Sequence, residues 1–379
     1  MRLPGLRHSS RGFSLVELMV AITVGLIVLG GATTVMVNSN KNYKIQEDLA
    51  RIQENARFAM EFLTRDIRET GYFGCIDDVS QVWDHVVGGS GTLFDTKPIE
   101  GSESAGNWLP LSPTPVAAPS NMVPGTDGIT LRKLDPSTAL NIGTPYMGQP
   151  SGNIKVIVPP SGDTGLIQGD IVAVTDCDST DIFQISNNNP DAGVLVHSTG
   201  NSTSPGNTSA GCPNLGAGNS CSTGGGGNIH CLCKVYEGEA QIVKFIAVRY
   251  FIGTTPQGTT ALFRQGISVV GGTAAAQDLE VVEGIENLQI LYGRDTDGDG
   301  IPDQYRDAAS IGTTEADWAG VVSVRIGLLA GSVDELGNRF DQDHGTYDID
   351  RDGTNDLIDP GDRRRRRIFT ATVLMRNLQ

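Results

Sequence analysis

No proline falls between Pro4 and Pro98, so nothing in that interval removes a helical donor or clashes with a preceding turn. One long helix is therefore allowed there. Histidine is scarce as well, with five in the chain and His8 near its start. No Ser/His/Asp set or glycine-flanked nucleophile stands out, and an enzyme is not expected. Cations are outnumbered, with 28 Lys and Arg against 44 Asp and Glu and a formal net charge of −16. Such a surface repels phosphate, which excludes nucleic acid as a default partner. Charge of either sign is nearly missing from Phe13 to Val37, where Glu17 alone is ionisable. As a helix that run spans roughly 37 Å, enough to cross a bilayer.

What is present gives the run a direction. Arg2, Arg7 and Arg11 precede it, and basic residues stay on the cytoplasmic side, so everything after Val37 is expected outside the inner membrane. After Asn38 apolar residues recur at spacings of three and four, at Ile45, Leu49, Ile52, Ala56, Ala59, Leu63 and Ile67. Charged residues, Asp66 among them, fill the gaps, and Gly71 is the expected stop. The pattern predicts one helix of roughly 85 Å from Phe13, whose first half protrudes from any globular domain.

Glu17 is costly in an apolar run unless it is paired or lies near an interface. The stretch Gly12-Phe13-Ser14-Leu15-Val16-Glu17 behind a basic leader resembles the type IV prepilin signal. That resemblance implies cleavage between Gly12 and Phe13 by prepilin peptidase, N-methylation of Phe13, and a role for Glu17 in subunit assembly by neutralising a neighbour's terminal amine. The alternatives for Glu17 are a pair within its own chain or a protonated carboxyl. Major pilins commonly carry a proline where this chain has Thr34; Gly25, Gly30 and Gly31 offer other sites for local melting.

A second resemblance covers most of the chain. LARIQENARFAMEFLTRDIRETGYFGC (49–75), GDIVAVTDC (169–177), DIFQIS (181–186), LQILYGRDTDGDG (288–300), SVRIGLLA (323–330) and RRIFTATVLMRN (366–377) resemble, in order, the minor pilins of the PilW family. The implied fold is α+β and pilin-like: a long N-terminal helix packed on a predominantly antiparallel β-sheet head with long loops. The expected parts are a cleaved leader (1–12), a transmembrane and fibre-core helix (13–37), an amphipathic helix (38–70) and a β-rich outer domain (71–379). Strands are expected at 129–134, 154–158, 170–175, 182–186, 241–252, 281–292, 321–329 and 368–375.

The resemblance implies a minor pilin that primes type IV pilus assembly at or near the fibre tip and supports twitching motility. Its partners would be other minor pilins, the major pilin and a pilus-tip adhesin. The alternatives are a minor pseudopilin of a type II secretion system and a membrane-anchored calcium-binding adhesin.

Cys75, Cys177, Cys212, Cys221, Cys231 and Cys233 suit disulfides in an oxidising compartment. The residues around His230 match no zinc module, and six cysteines allow fifteen pairings. Cys75 at the helix end is expected to staple to the sheet through Cys177, and Cys231 and Cys233 to pair with Cys212 or Cys221.

Two segments share a calcium-loop spacing. Asp295, Asp297, Asp299 and Asp303 stand at loop positions 1, 3, 5 and 9 with Gly300 at 6; Asp348, Asp350, Asp352 and Asp356 repeat this with Gly353. Alternate carboxylates wrap a hard cation, glycine permits the turn, and the carbonyls of Ile301 and Thr354 at position 7 would add oxygens. Position 12 is Arg306 in the first loop and Asp359 in the second, so the second is expected to bind better. Arg363 to Arg367 form a basic run beside an acidic segment, read as a solvated face that balances it.

Overall fold

A computed structural model describes residues 12, 14–76, 79–87, 93–103, 119–199, 203–208, 230–312, 314–333, 335, 345–358 and 360–377. Phe13, Cys212, Cys221 and Asp359 lie outside the described residues. Two compact units are present, Met1–Arg51 and Ile52–Gln379.

Helix α1 runs from Leu15 to Glu69 and is long and apolar enough to cross a membrane. In the first unit its apolar side chains are exposed, and its threonine hydroxyls are satisfied within the helix. Thr23 Oγ1 donates to the Met19 carbonyl, Thr33 to Leu29 and Gly30, and Thr34 to Gly30. Back-bonded hydroxyls suit a helix in an apolar medium, where an unpaired polar group is expensive.

In the second unit Ile52, Ala56, Ala59, Leu63 and Ile67 are buried. Each fully buried aliphatic side chain contributes about 2 kcal/mol by area. The buried stripe starts later than its spacing suggests, since Ile45 is half-buried and Leu49 exposed. Asp66 is also corrected: it lies inside, not on the solvated face. Its Oδ2 accepts from Tyr250 Oη at 2.7 Å and from Arg264 Nε at 3.4 Å. Gly71, at φ 83°, ends the helix, and its N–H donates to the Arg132 carbonyl.

Sixteen strands are formed among the described residues. The first seven are β1 (Val82–Asp84), β2 (Ile99–Ser102), β3 (Gly128–Asn141), β4 (Ile154–Lys155), β5 (Ile171–Thr175), β6 (Thr180–Gln184) and β7 (Val194–Leu195). There follow β8 (Gln241–Thr254), β9 (Thr260–Val270), β10 (Thr273–Glu283), β11 (Ile285–Arg294), β12 (Gln304–Arg306) and β13 (Val321–Gly331). The last are β14 (Thr346–Tyr347), β15 (Leu357–Ile358) and β16 (Arg366–Leu374). The larger sheet has the order β1-β6-β5-β8-β3-β2, with β9 also on β8 and β10 on β9. The smaller has the order β12-β11-β13-β16. Every pairing in both is antiparallel except β1 with β6.

The helix stripe shares one core with both sheets. Ile99, Leu131, Val248 and Tyr250 come from the larger sheet, and Leu288, Ile290, Val324 and Ile326 from the smaller. The expected strand 281–292 is two strands, broken at Gly284, whose φ of 79° only glycine adopts freely. The hairpin β9–β10 was not foreseen. Its outer strand, TAAAQDLEVVE, is mostly exposed and lacks the apolar alternation that marks a half-buried strand.

Candidate functional site

At the start of α1, Ser14 donates its backbone N–H to Glu17 Oε2 at 2.9 Å, while Ser14 Oγ accepts from the Glu17 N–H at 3.2 Å. This is a capping box, two helix-end donors satisfied reciprocally. Glu17 thus has a partner in its own chain, three residues away rather than four. The signal was in the sequence as Ser-x-x-Glu. Gly12 is exposed, and a Cβ there would meet nothing within 4 Å, so packing within the described chain does not require glycine.

The two aspartate loops are hairpin turns. Residues 295–303 join β11 to β12, and 348–356 join β14 to β15. The position-9 N–H returns to the strand carbonyl before position 1 at 2.8 Å in both, Asp303 to Arg294 and Asp356 to Tyr347. Position 1 accepts from the glycine at 6, at 2.7 Å for Asp295 and 3.2 Å for Asp348. Position 3 accepts from the N–H at 5, and position 5 from the N–H at 7. Position 9 accepts from the N–H at 2, Asp303 from Thr296 and Asp356 from Ile349. Both loops turn through the left-handed region at positions 4 and 6, by Gly298 and Gly300 in one and Arg351 and Gly353 in the other.

Burial separates the loops. Carboxylate oxygens of Asp295, Asp297 and Asp299 converge within 4.8 Å in a largely exposed site, those of Asp348, Asp350 and Asp356 in a more buried one. Asp350 is only 5% exposed, and Asp348 Oδ1 is buried without a hydrogen-bond partner. Burial, then the charges of Asp352, Asp356 and Asp348, pushes the Asp350 carboxyl up to about 6. Burial likewise raises Asp356. Backbone N–H groups of Gly300 and Gly298 lower Asp295. Arg306, at position 12 of the first loop, instead bonds Gln304 Oε1.

Cys75 and Cys177 form a disulfide that joins the helix end to the turn between β5 and β6. Cys231 and Cys233 are also disulfide-bonded, and no described cysteine is free. The arginine run is engaged with acids. Arg363 pairs with Glu335, Arg364 with Glu286, and Arg366 with both Glu286 and Asp362.

Residues 249–377, which hold both aspartate hairpins and the smaller sheet, match the family model described as type IV pilus-assembly protein W. Residues 7–33 match the prokaryotic N-terminal methylation motif. Both matches are consistent with a PilW-family type IV minor pilin. The methylation match contains the Gly12 junction and the capped Glu17; the PilW match begins within β8 and takes in β16. No curated protein and no solved structure matches the chain.

Proposed function

We propose that the chain is cut by prepilin peptidase between Gly12 and Phe13, methylated at the new amine, and held in the inner membrane by α1 with its head in the periplasm. From there it helps prime a type IV pilus with other minor pilins and the major pilin. One observation supports this above the rest: a single helix carries the methylation motif at one end and packs at the other into the head that matches PilW. A glycine with open space beside it suits a peptidase that must approach the backbone. Residues 71–379 form a head that would crowd a repeating fibre lattice, which favours low copy number at or near the tip. Deletion of the gene should abolish surface pili and twitching and leave type II secretion intact. Lost secretion with normal pili would instead make the chain a pseudopilin.

A second reading concerns calcium. Two loops that share only their aspartates and one glycine close with the same hydrogen bonds, and the second holds a buried carboxylate oxygen without a partner. Asp348, Asp350, Asp352 and Asp356 with the Thr354 carbonyl would hold the ion there; Asp295, Asp297, Asp299 and Asp303 with the Ile301 carbonyl would hold it in the first loop. A bound cation would replace carboxylate repulsion with attraction and stiffen the hairpin. The second site is the stronger because its ligands are more buried.

A further inference from the structure

His85, His197 and His230, three of the four histidines beyond the leader, meet in one buried cluster. They surround residues 230–236, a segment without helix or strand that is nevertheless buried at His230, Cys231, Leu232 and Tyr236. We propose that this segment is a proton-released strap, clamped on β6 while His197 and His230 are neutral and loosened when they take up protons.

The clamp is polar at one end and apolar in the middle. Asp181 on β6 is fully buried; its Oδ2 accepts from the Cys233 N–H at 3.0 Å and from Tyr236 Oη at 2.7 Å. Its Oδ1 meets His85 Nε2 at 2.6 Å. Leu232 donates its N–H to the Pro150 carbonyl, and its side chain packs in a core with Val174, Phe183 and Ile242. His230 Nδ1 faces His197 Nδ1 at 2.8 Å.

The protons can be placed by elimination. His197 Nε2 lies 2.8 Å from the Gly152 carbonyl, which only accepts, so Nε2 carries the hydrogen. In a neutral ring His197 Nδ1 is then the acceptor, and His230 Nδ1 must be the donor. His230 Nε2 is left as a lone pair, buried and without a partner. A proton there would create an N–H with nothing to receive it, with the His85 ring 4.7 Å away. A proton on His197 Nδ1 would set two N–H groups against each other.

Charged and titratable groups on the neighbouring elements are Asp84 on β1, His85 just after it, Asp181 on β6, and Lys234 and Tyr236 on the strap itself, Lys234 being paired with Asp176 and Asp178 of the β5–β6 turn. Burial, then the charges of His85 and His197, holds His230 down at about 2, and burial holds His197 below its ordinary range. A depressed folded-state value means that the stabilisation is complete above the free value near 6.5 and fades as pH falls below it, about tenfold per proton per pH unit. Burial raises Asp84 to about 6, so it loses its charge near His85 in the same window.

Hydrogen exchange on the full chain in detergent, corrected for intrinsic rates, tests this between pH 7.5 and 5.0. The Leu232 and Cys233 amides should lose at least tenfold in protection relative to amides of β13, and regain it on return. His230→Phe removes one of the two proton sites and should reduce the loss at least threefold, leaving what His197 contributes, whereas Asp84→Asn should keep it. Strap protection that follows β13 at every pH in the unmodified chain overturns the proposal, and so does a His230→Phe profile equal to the unmodified one. If His230→Phe does not fold, the unmodified profile alone decides.

Discussion

At the scale of single residues, Glu17 does two things that mutation can separate. Its carboxylate completes a capping box with Ser14, and in the proposed fibre its charge meets a neighbour's amine. Glutamine retains the cap but not the charge; leucine loses both. Glu17→Gln should therefore leave membrane insertion intact and reduce piliation as severely as Glu17→Leu. Full piliation by Glu17→Gln, measured by counting surface fibres, would assign the residue to capping alone.

A second residue-scale case lies in the core. Glu103 and Asp127 are hydrogen-bonded to one another, and both titrate above their ordinary values, Asp127 well above, because of burial and then, for Asp127, the Glu103 charge. Raised folded-state values stabilise below the unfolded values near 4 and lose that contribution as pH rises. Asp127→Asn retains an acceptor for the Ile290 N–H and removes one buried charge. Its melting temperature should exceed that of the unmodified chain at pH 8, by about 2–4 °C per kcal/mol gained, and match it at pH 4. A lower melting temperature at pH 8 would contradict the account of two buried carboxyls that raise one another.

Among elements, legibility followed burial. The helix and the strands on the shared core could be read because one face of each is apolar, as Ile52 to Ile67 and Val321 to Leu329 show. β9 and β10 escaped because β10 is an exposed edge rich in alanine and acid. The aspartate hairpins were visible as a spacing. Which loop is the better site rested on Asp359 in the sequence and rests on the burial of Asp350 in the fold, which no spacing encodes. Calcium at ten times its Kd should stabilise the chain by about 1.4 kcal/mol. The rise in melting temperature over an EDTA control should shrink more in Asp350→Ala than in Asp297→Ala. It should also fade below about pH 6, where Asp350 binds a proton instead. No calcium-dependent rise at pH 7.5 would make both loops ordinary acidic turns.

For the whole molecule, covalent and apolar ties converge on the head end of α1. Its stripe is shared by both sheets, and the Cys75–Cys177 disulfide fixes the chain after Gly71 to the β5–β6 turn. Closing a loop of about 100 residues stabilises by about 4–5 kcal/mol in the chain-entropy account. The apolar run and the N-terminal methylation motif were legible because each is a pattern in local sequence. The histidine cluster was not, since it is assembled only by the fold: His85 follows β1, His197 follows β7 and His230 opens the strap.

The central claim, a processed pilus subunit, is tested most directly by mass spectrometry of the N-terminal peptide from sheared, purified pili. The account predicts a chain that begins at Phe13 with a methylated amine and is present at low copy relative to the major subunit. A chain found only in membranes, with residues 1–12 still attached, would contradict it.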